Sequence, residues 1–201
     1  MLEVSYNLGG ITWTANLDSD LPIVTSIFRE AYNKTNAFGN IGSFIRYTRS
    51  RKDVKAVFCS AVSCVDGEAD EVNEFYRKRE EQGLGSQNFV GVLMGWAGFV
   101  GGKERNLFYL RDGAVIPLAE GNGFMRAMVD FMSLWTAVEG YTHLVASRND
   151  HVMASYLTEQ CGFEKEDRWV LKEVPRLSVE RVKELNEPFD LEKIVIPWDE
   201  E

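Results

Sequence analysis

Two kinds of group in one segment of the chain are equipped for chemistry. Asp112, His151 and Tyr156 carry side chains that take or give a proton. Between them, Ala119-Glu120-Gly121-Asn122-Gly123 is a glycine turn that runs into an apolar, periodic stretch. Glycine at 121 and 123 permits positive φ and lets a ligand approach the main chain. A turn that opens a helix also leaves the first N–H groups unpaired at the positive end of the helix dipole, and that combination holds anions. Taken alone, such a turn more often only caps its helix.

Four elements must position these groups. Phe108 to Pro117 reads as a strand that delivers the chain to the turn. From Phe124 the apolar residues Phe124, Met128, Phe131, Met132, Trp135 and Val138 recur at three and four positions, which predicts a helix with one buried face that stops at Gly140. Thr142 to Ser147 reads as a short buried strand. Val152 to Gln160 reads as a second helix, closed by Cys161-Gly162-Phe163.

In this order the segment resembles the acyl-CoA-binding core of the GNAT superfamily of N-acetyltransferases. Val115, Pro117 and Gly123 fall in register with the family pattern, Gly121 matches a glycine that often precedes it, and Ala154, Gly162 and Phe163 match downstream. Glu120 stands where the family has Arg or Gln, Met125 where it has Gly or Ala, His151 where it has Asn, and Thr158 where it has Tyr. The resemblance implies acetyl-CoA as co-substrate. Its diphosphate is expected against the main-chain N–H groups of Gly121, Asn122, Gly123, Phe124 and Met125, with Arg126 offsetting the Glu120 carboxylate. Its pantetheine arm is expected along the main chain of Ala114, Val115 and Ile116. The resemblance further implies direct acetyl transfer to an amine on a small molecule or a protein, with Asp112 as base and Tyr156, two residues out of register, as acid. The departures leave a second reading open: a GNAT-like domain without transfer activity, a structural or interaction module of the kind found in small phage and mobile-element proteins.

The remaining chain supplies the rest of a core. Residues 2–7 and 10–16 read either as a hairpin or as one strand over the second stretch alone, and Asp18, Ser19 and Asp20 as N-cap candidates for a helix with Leu21, Val24, Ile27, Phe28 and Ala31 inward. Further helices are expected near 41–51 and 69–80, strands over 55–63 and 88–100, a turn at 101–104, and one edge strand over 164–174 ended by Pro175. The expected architecture is a three-layer α/β fold of the GNAT kind, a mixed and mostly antiparallel central sheet flanked by helices. Residues 1–175 form its single domain. Residues 176–201 form an extension that packs back on the domain or on a second copy, giving a homodimer.

Composition removes other classes. With 201 residues, 45% of them hydrophobic, the chain can bury one sizeable core. A net charge of −9, with one basic cluster at Arg46, Arg49, Arg51 and Lys52, makes nucleic acid an unfavourable partner. Cys59, Cys64 and Cys161 form no C-x-x-C pair and there are two histidines, so buried free thiols in a reducing, cytoplasmic setting are expected and a zinc site is not. No apolar run approaches the roughly 18 residues that span a bilayer, and no membrane partner is expected.

Overall fold

The computed structural model describes residues 2–6, 9–14, 17–32, 54–60, 89–100, 103–149 and 151–176, with Arg77 and Glu81. Its strands are β1 (Leu2–Tyr6), β2 (Gly9–Thr14), β3 (Lys55–Ser60), β4 (Phe89–Val100), β5 (Lys103–Val115), β6 (His143–Ser147), β7 (Glu164–Glu166) and β8 (Trp169–Glu173). They form one sheet in the order β1-β2-β3-β4-β5-β6-β8-β7. The first five strands pair antiparallel with their chain neighbours, and β5 then pairs parallel with β6. A parallel neighbour needs a crossover. Here the crossover is α2 (Phe124–Val138), and the other described helices are α1 (Leu17–Tyr32) and α3 (His151–Gln160).

The periodic apolar residues do what their spacing predicts. Phe124, Met128, Phe131 and Met132 of α2 are buried against the sheet, and α2 ends at Glu139 with Gly140 at φ 81°, a left-handed residue that glycine adopts without strain. This helix crosses one face from β2 to β6. α1 lies on β4 and β5 from the other face, with Val24, Ile27 and Phe28 fully buried. Two aromatic groups mark the two faces. Phe108 meets Trp135 and Tyr141 edge-on below α2, and Tyr109 meets Trp96 and Trp169 on the opposite side.

Several boundaries differ from expectation. α1 begins at Leu17, so Asp18, Ser19 and Asp20 lie inside its first turn rather than before it. β5 begins at Lys103, which pairs with Val100, so the strand takes in residues expected in the turn. The expected edge strand over 164–174 is a hairpin: Asp167 adopts φ 47°, which Asp tolerates better than most residues, and folds β7 back on β8. β8 is therefore an inner strand between β6 and β7. The helix expected over 41–51, the tail from 177 and most of the 69–80 helix lie outside the described residues. Arg77 of that stretch and Glu81, just past its expected end, are helical and paired at 2.9 Å. Among the described residues, no helix is long and apolar enough to cross a membrane.

Candidate functional site

β5 loses a neighbour halfway along. Its ladder with β6 runs through Leu107↔His143, Phe108↔Leu144 and Tyr109↔Val145 and then ends. At the same level its register with β4 slips: Gly95 opposes Leu110 and Met94 opposes Asp112, so Arg111 is the extra residue of a β-bulge. Beyond it β5 pairs with β4 alone among the described strands, and a wedge opens towards β6. The Ile116 amide donates to Val90 O at 2.9 Å. Antiparallel bonding alternates, so Ala114, opposite Val92, also turns its main-chain groups to β4, while Gly113 and Val115 turn theirs into the wedge.

Of the three residues expected along a pantetheine arm, Val115 therefore presents its main chain to the opening, and Ala114 and Ile116 use theirs within the sheet. Gly113, which sequence reasoning passed over, joins Val115. The available signal was a glycine inside a strand, which marks close approach by another group. A Cβ on Gly113 would stand 3.0 Å from the terminal carbons of Leu93, Met125 and Met153. Met125 and Met153 thus reach the wedge from the α2 and α3 face. From the α1 face, Tyr32 donates its hydroxyl to Gly113 O at 2.9 Å. Asp112 stands opposite Met94 on that same α1 face, its side chain 19% exposed and 3.8 Å from Arg111 Nε.

The wedge leads directly into the glycine turn. Pro117–Ala119 form one 3-10 turn, held by Ala119 N to Ile116 O at 2.9 Å and Glu120 N to Pro117 O at 3.3 Å. Asn122 donates its side-chain amide to Ala119 O and Glu120 O, so this side chain ties the turn together. Gly121 and Gly123 sit at φ 82° and 75°, and a Cβ on either would meet nothing within 4 Å. The left-handed backbone, not crowding, demands glycine there, and the space above the turn is open. The first bond of α2 runs from Ala127 N to Gly123 O, which leaves the N–H groups of Phe124, Met125 and Arg126 ahead of the helical ladder. Glu120 and Arg126 are exposed at this mouth.

Tyr156 turns to the start of α2. It is half-buried, and burial pushes its phenol up to about 12, with Cys161, Arg126 and Asp130 as its electrostatic neighbours. Burial likewise pushes Cys161 up to about 11 and Cys59 up to about 12, so both stay protonated thiols. Thr158, in the family's tyrosine register, donates its hydroxyl back to Ala154 O and Ser155 O of its own helix at 3.0 Å. His151 is exposed at the start of α3. Among the described residues no group of His, Cys, Asp and Glu is placed to hold a metal ion.

Chain order, splayed strands and glycine turn together define the class. No family model matches the chain, and no curated protein matches it in sequence. Solved structures do match in fold. A GNAT family acetyltransferase from Brucella melitensis in complex with acetyl-CoA superposes with a TM-score of 0.56 at 13% identity, over 84% of this chain and 91% of that one. The Escherichia coli N-acetyltransferase that acts on an alanine of a ribosomal protein gives 0.54 at 13%, over 84% and 97%. An aminoglycoside acetyltransferase from an uncultured soil metagenomic sample, in complex with sisomicin, gives 0.51 at 12%, over 80% and 92%. This chain has the GNAT fold.

Proposed function

We propose that the protein is an N-acyltransferase that moves an acetyl group from acetyl-CoA to an amine. The observation that carries this is the flank of β5 that no described strand pairs: main-chain groups of Gly113 and Val115 turn away from β4, and the chain then runs through the glycine turn to the N–H groups of Phe124 and Met125, which precede the helical ladder of α2. An extended amide chain fits the first part as an added strand, and a diphosphate fits the second. Main-chain donors do this without particular side chains, so the replacements at 120 and 125 are compatible with it. The Glu120 carboxylate is exposed and screened by solvent, and Arg126 is an exposed cation in the first turn of α2. Met125 and Met153 are flexible thioethers that can move aside from Gly113.

A transfer between two substrates uses both faces of β5. Acetyl-CoA takes the α2 and α3 face. The amine takes the α1 face, where Asp112 stands to remove a proton from an ammonium. Tyr156, expected as the acid, stands on the acetyl-CoA face at the start of α2. The acceptor is a small-molecule or protein amine, and the net charge of −9 favours a cationic one. Buried free thiols at Cys59 and Cys161 suit the reducing cytoplasm. Residues 1–175 form the catalytic domain, with 176–201 an extension of it.

Calorimetric titration with acetyl-CoA and with CoA tests the reading. Micromolar binding is expected, lost in Gly123→Glu, which places a carboxylate over the turn. No binding at millimolar ligand would overturn it. The methionines in the wedge and Glu120 would then favour an interaction module without transfer activity.

A further inference from the structure

We propose, building on the acyltransferase reading, that Tyr32 of α1 rather than Tyr156 of α3 is the catalytic acid, its hydroxyl meeting the thioester sulfur at the wedge. The two tyrosines are placed differently. Tyr156 lies half-buried on α3 among Cys161, Arg126 and Asp130, at the start of α2 and away from the main chain of β5. Tyr32 places its hydroxyl on the carbonyl of Gly113, the first residue beyond Asp112 and the first whose main chain faces the opening.

That hydrogen bond has a physical reason. A partly buried carbonyl on a strand flank that no described strand pairs needs a donor, and Tyr32 supplies it. An amide N–H of a pantetheine arm aligned with β5 competes for the same oxygen and frees the phenol to rotate towards the sulfur. The ring itself stays fixed, stacked on Phe28 at 5.8 Å with 10° between planes. Thr158, in the register where the family places its tyrosine, is bonded back into its own helix and offers no competing proton.

The protons balance. Asp112 takes one proton from the ammonium of the acceptor. Tyr32 gives its proton to the sulfur as the C–N bond forms and the C–S bond breaks, and takes back the second proton of the acylated nitrogen. The products are an amide, a thiol and one proton released through Asp112.

The test reads the thiol of bound CoA and needs no acceptor. The thiolate absorbance of CoA is titrated against pH on the wild type, Tyr32→Phe and Tyr156→Phe, with calorimetry and thermal melts on each. A phenol that donates to the thiolate stabilises it, so Tyr32→Phe is expected to bind CoA within about threefold of wild type and to raise the bound thiol pKa by about one unit. Tyr156→Phe is expected to leave that titration at the wild-type value and to lower Tm. An unchanged thiol titration in Tyr32→Phe, or a shift in Tyr156→Phe, overturns the assignment. Loss of CoA affinity in Tyr32→Phe without a thiol shift overturns it too, leaving Tyr32 a structural contact. If the wild type itself binds no CoA, the acyltransferase reading fails first, and the calorimetry identifies that failure separately.

Discussion

β5 is one strand in two environments. From Leu107 to Tyr109 it is bonded on both flanks, and Leu107 and Phe108 are 1% exposed. From Asp112 to Val115 it pairs with one described strand only; a tyrosine hydroxyl meets Gly113 O on the other flank, and two methionine methyls lie over Gly113 from the α2 and α3 face. The bulge at Arg111 separates the two. The doubly bonded half is where folding energy is concentrated, because buried aromatic packing and two ladders act on the same residues. The singly bonded half presents main-chain groups that a ligand can use, and it stays in place because the other half is rigid.

Substitutions that respect this division should have opposite signatures. Phe108→Ala removes a ring held edge-on by Trp135 and Tyr141 and is expected to cost about 3–5 kcal/mol, a fall in Tm of roughly 10 °C, with CoA affinity of the folded protein unchanged. Gly95→Ala acts on the same half. Its Cβ would collide with the Phe108 ring and stand 2.5 Å from Tyr109 O, a backbone atom that cannot yield, and a cost of about 3 kcal/mol is expected by thermal melt. Gly113→Ala reverses the pattern. The three carbons at 3.0 Å are ends of flexible side chains, so stability should fall by only about 1 kcal/mol, while a crowded wedge weakens CoA binding roughly tenfold by calorimetry. Equal effects of Phe108→Ala and Gly113→Ala on CoA binding would erase the distinction.

The doubly bonded half was also the more legible. Apolar spacing from Phe124 and the stop at Gly140 are local signals, and α2 follows them closely. The glycine turn was legible for the same reason: positive φ at Gly121 and Gly123 is a property of a few consecutive residues. The open half depends on which strand lies beside which. Nothing in the order of residues 108–117 announces that Arg111 bulges, and without the bulge the wedge-facing groups cannot be separated from those of Ala114 and Ile116. Tyr32 is 81 positions from Gly113, a contact made by tertiary packing alone. Asp167 was missed because a polar, alternating stretch reads as one strand unless its left-handed turn residue is recognised.

The bank of the sheet beyond β5 supplies the smallest and most specific effect. Lys172 of β8, opposite Leu144 of β6, reaches Asp130 of α2 at 3.2 Å, with the two side chains 24% and 25% exposed. Burial raises the Asp130 carboxyl above its ordinary value, although the Lys172 charge and hydrogen bond and the Arg126 charge pull it down. The sign follows from linkage. A carboxyl held higher in the folded state than in the unfolded chain binds more protons when folded, so its contribution to stability is fully present below the ordinary carboxylate range and is lost as pH rises through the folded value. Asp130→Asn lacks this titration. Wild type minus variant stability, measured by urea unfolding, should therefore be more favourable to wild type near pH 4 than at pH 7, by less than about 1 kcal/mol because the pair is a quarter exposed. The opposite slope would mean that the ion pair, and not the packing around it, fastens this bank to α2.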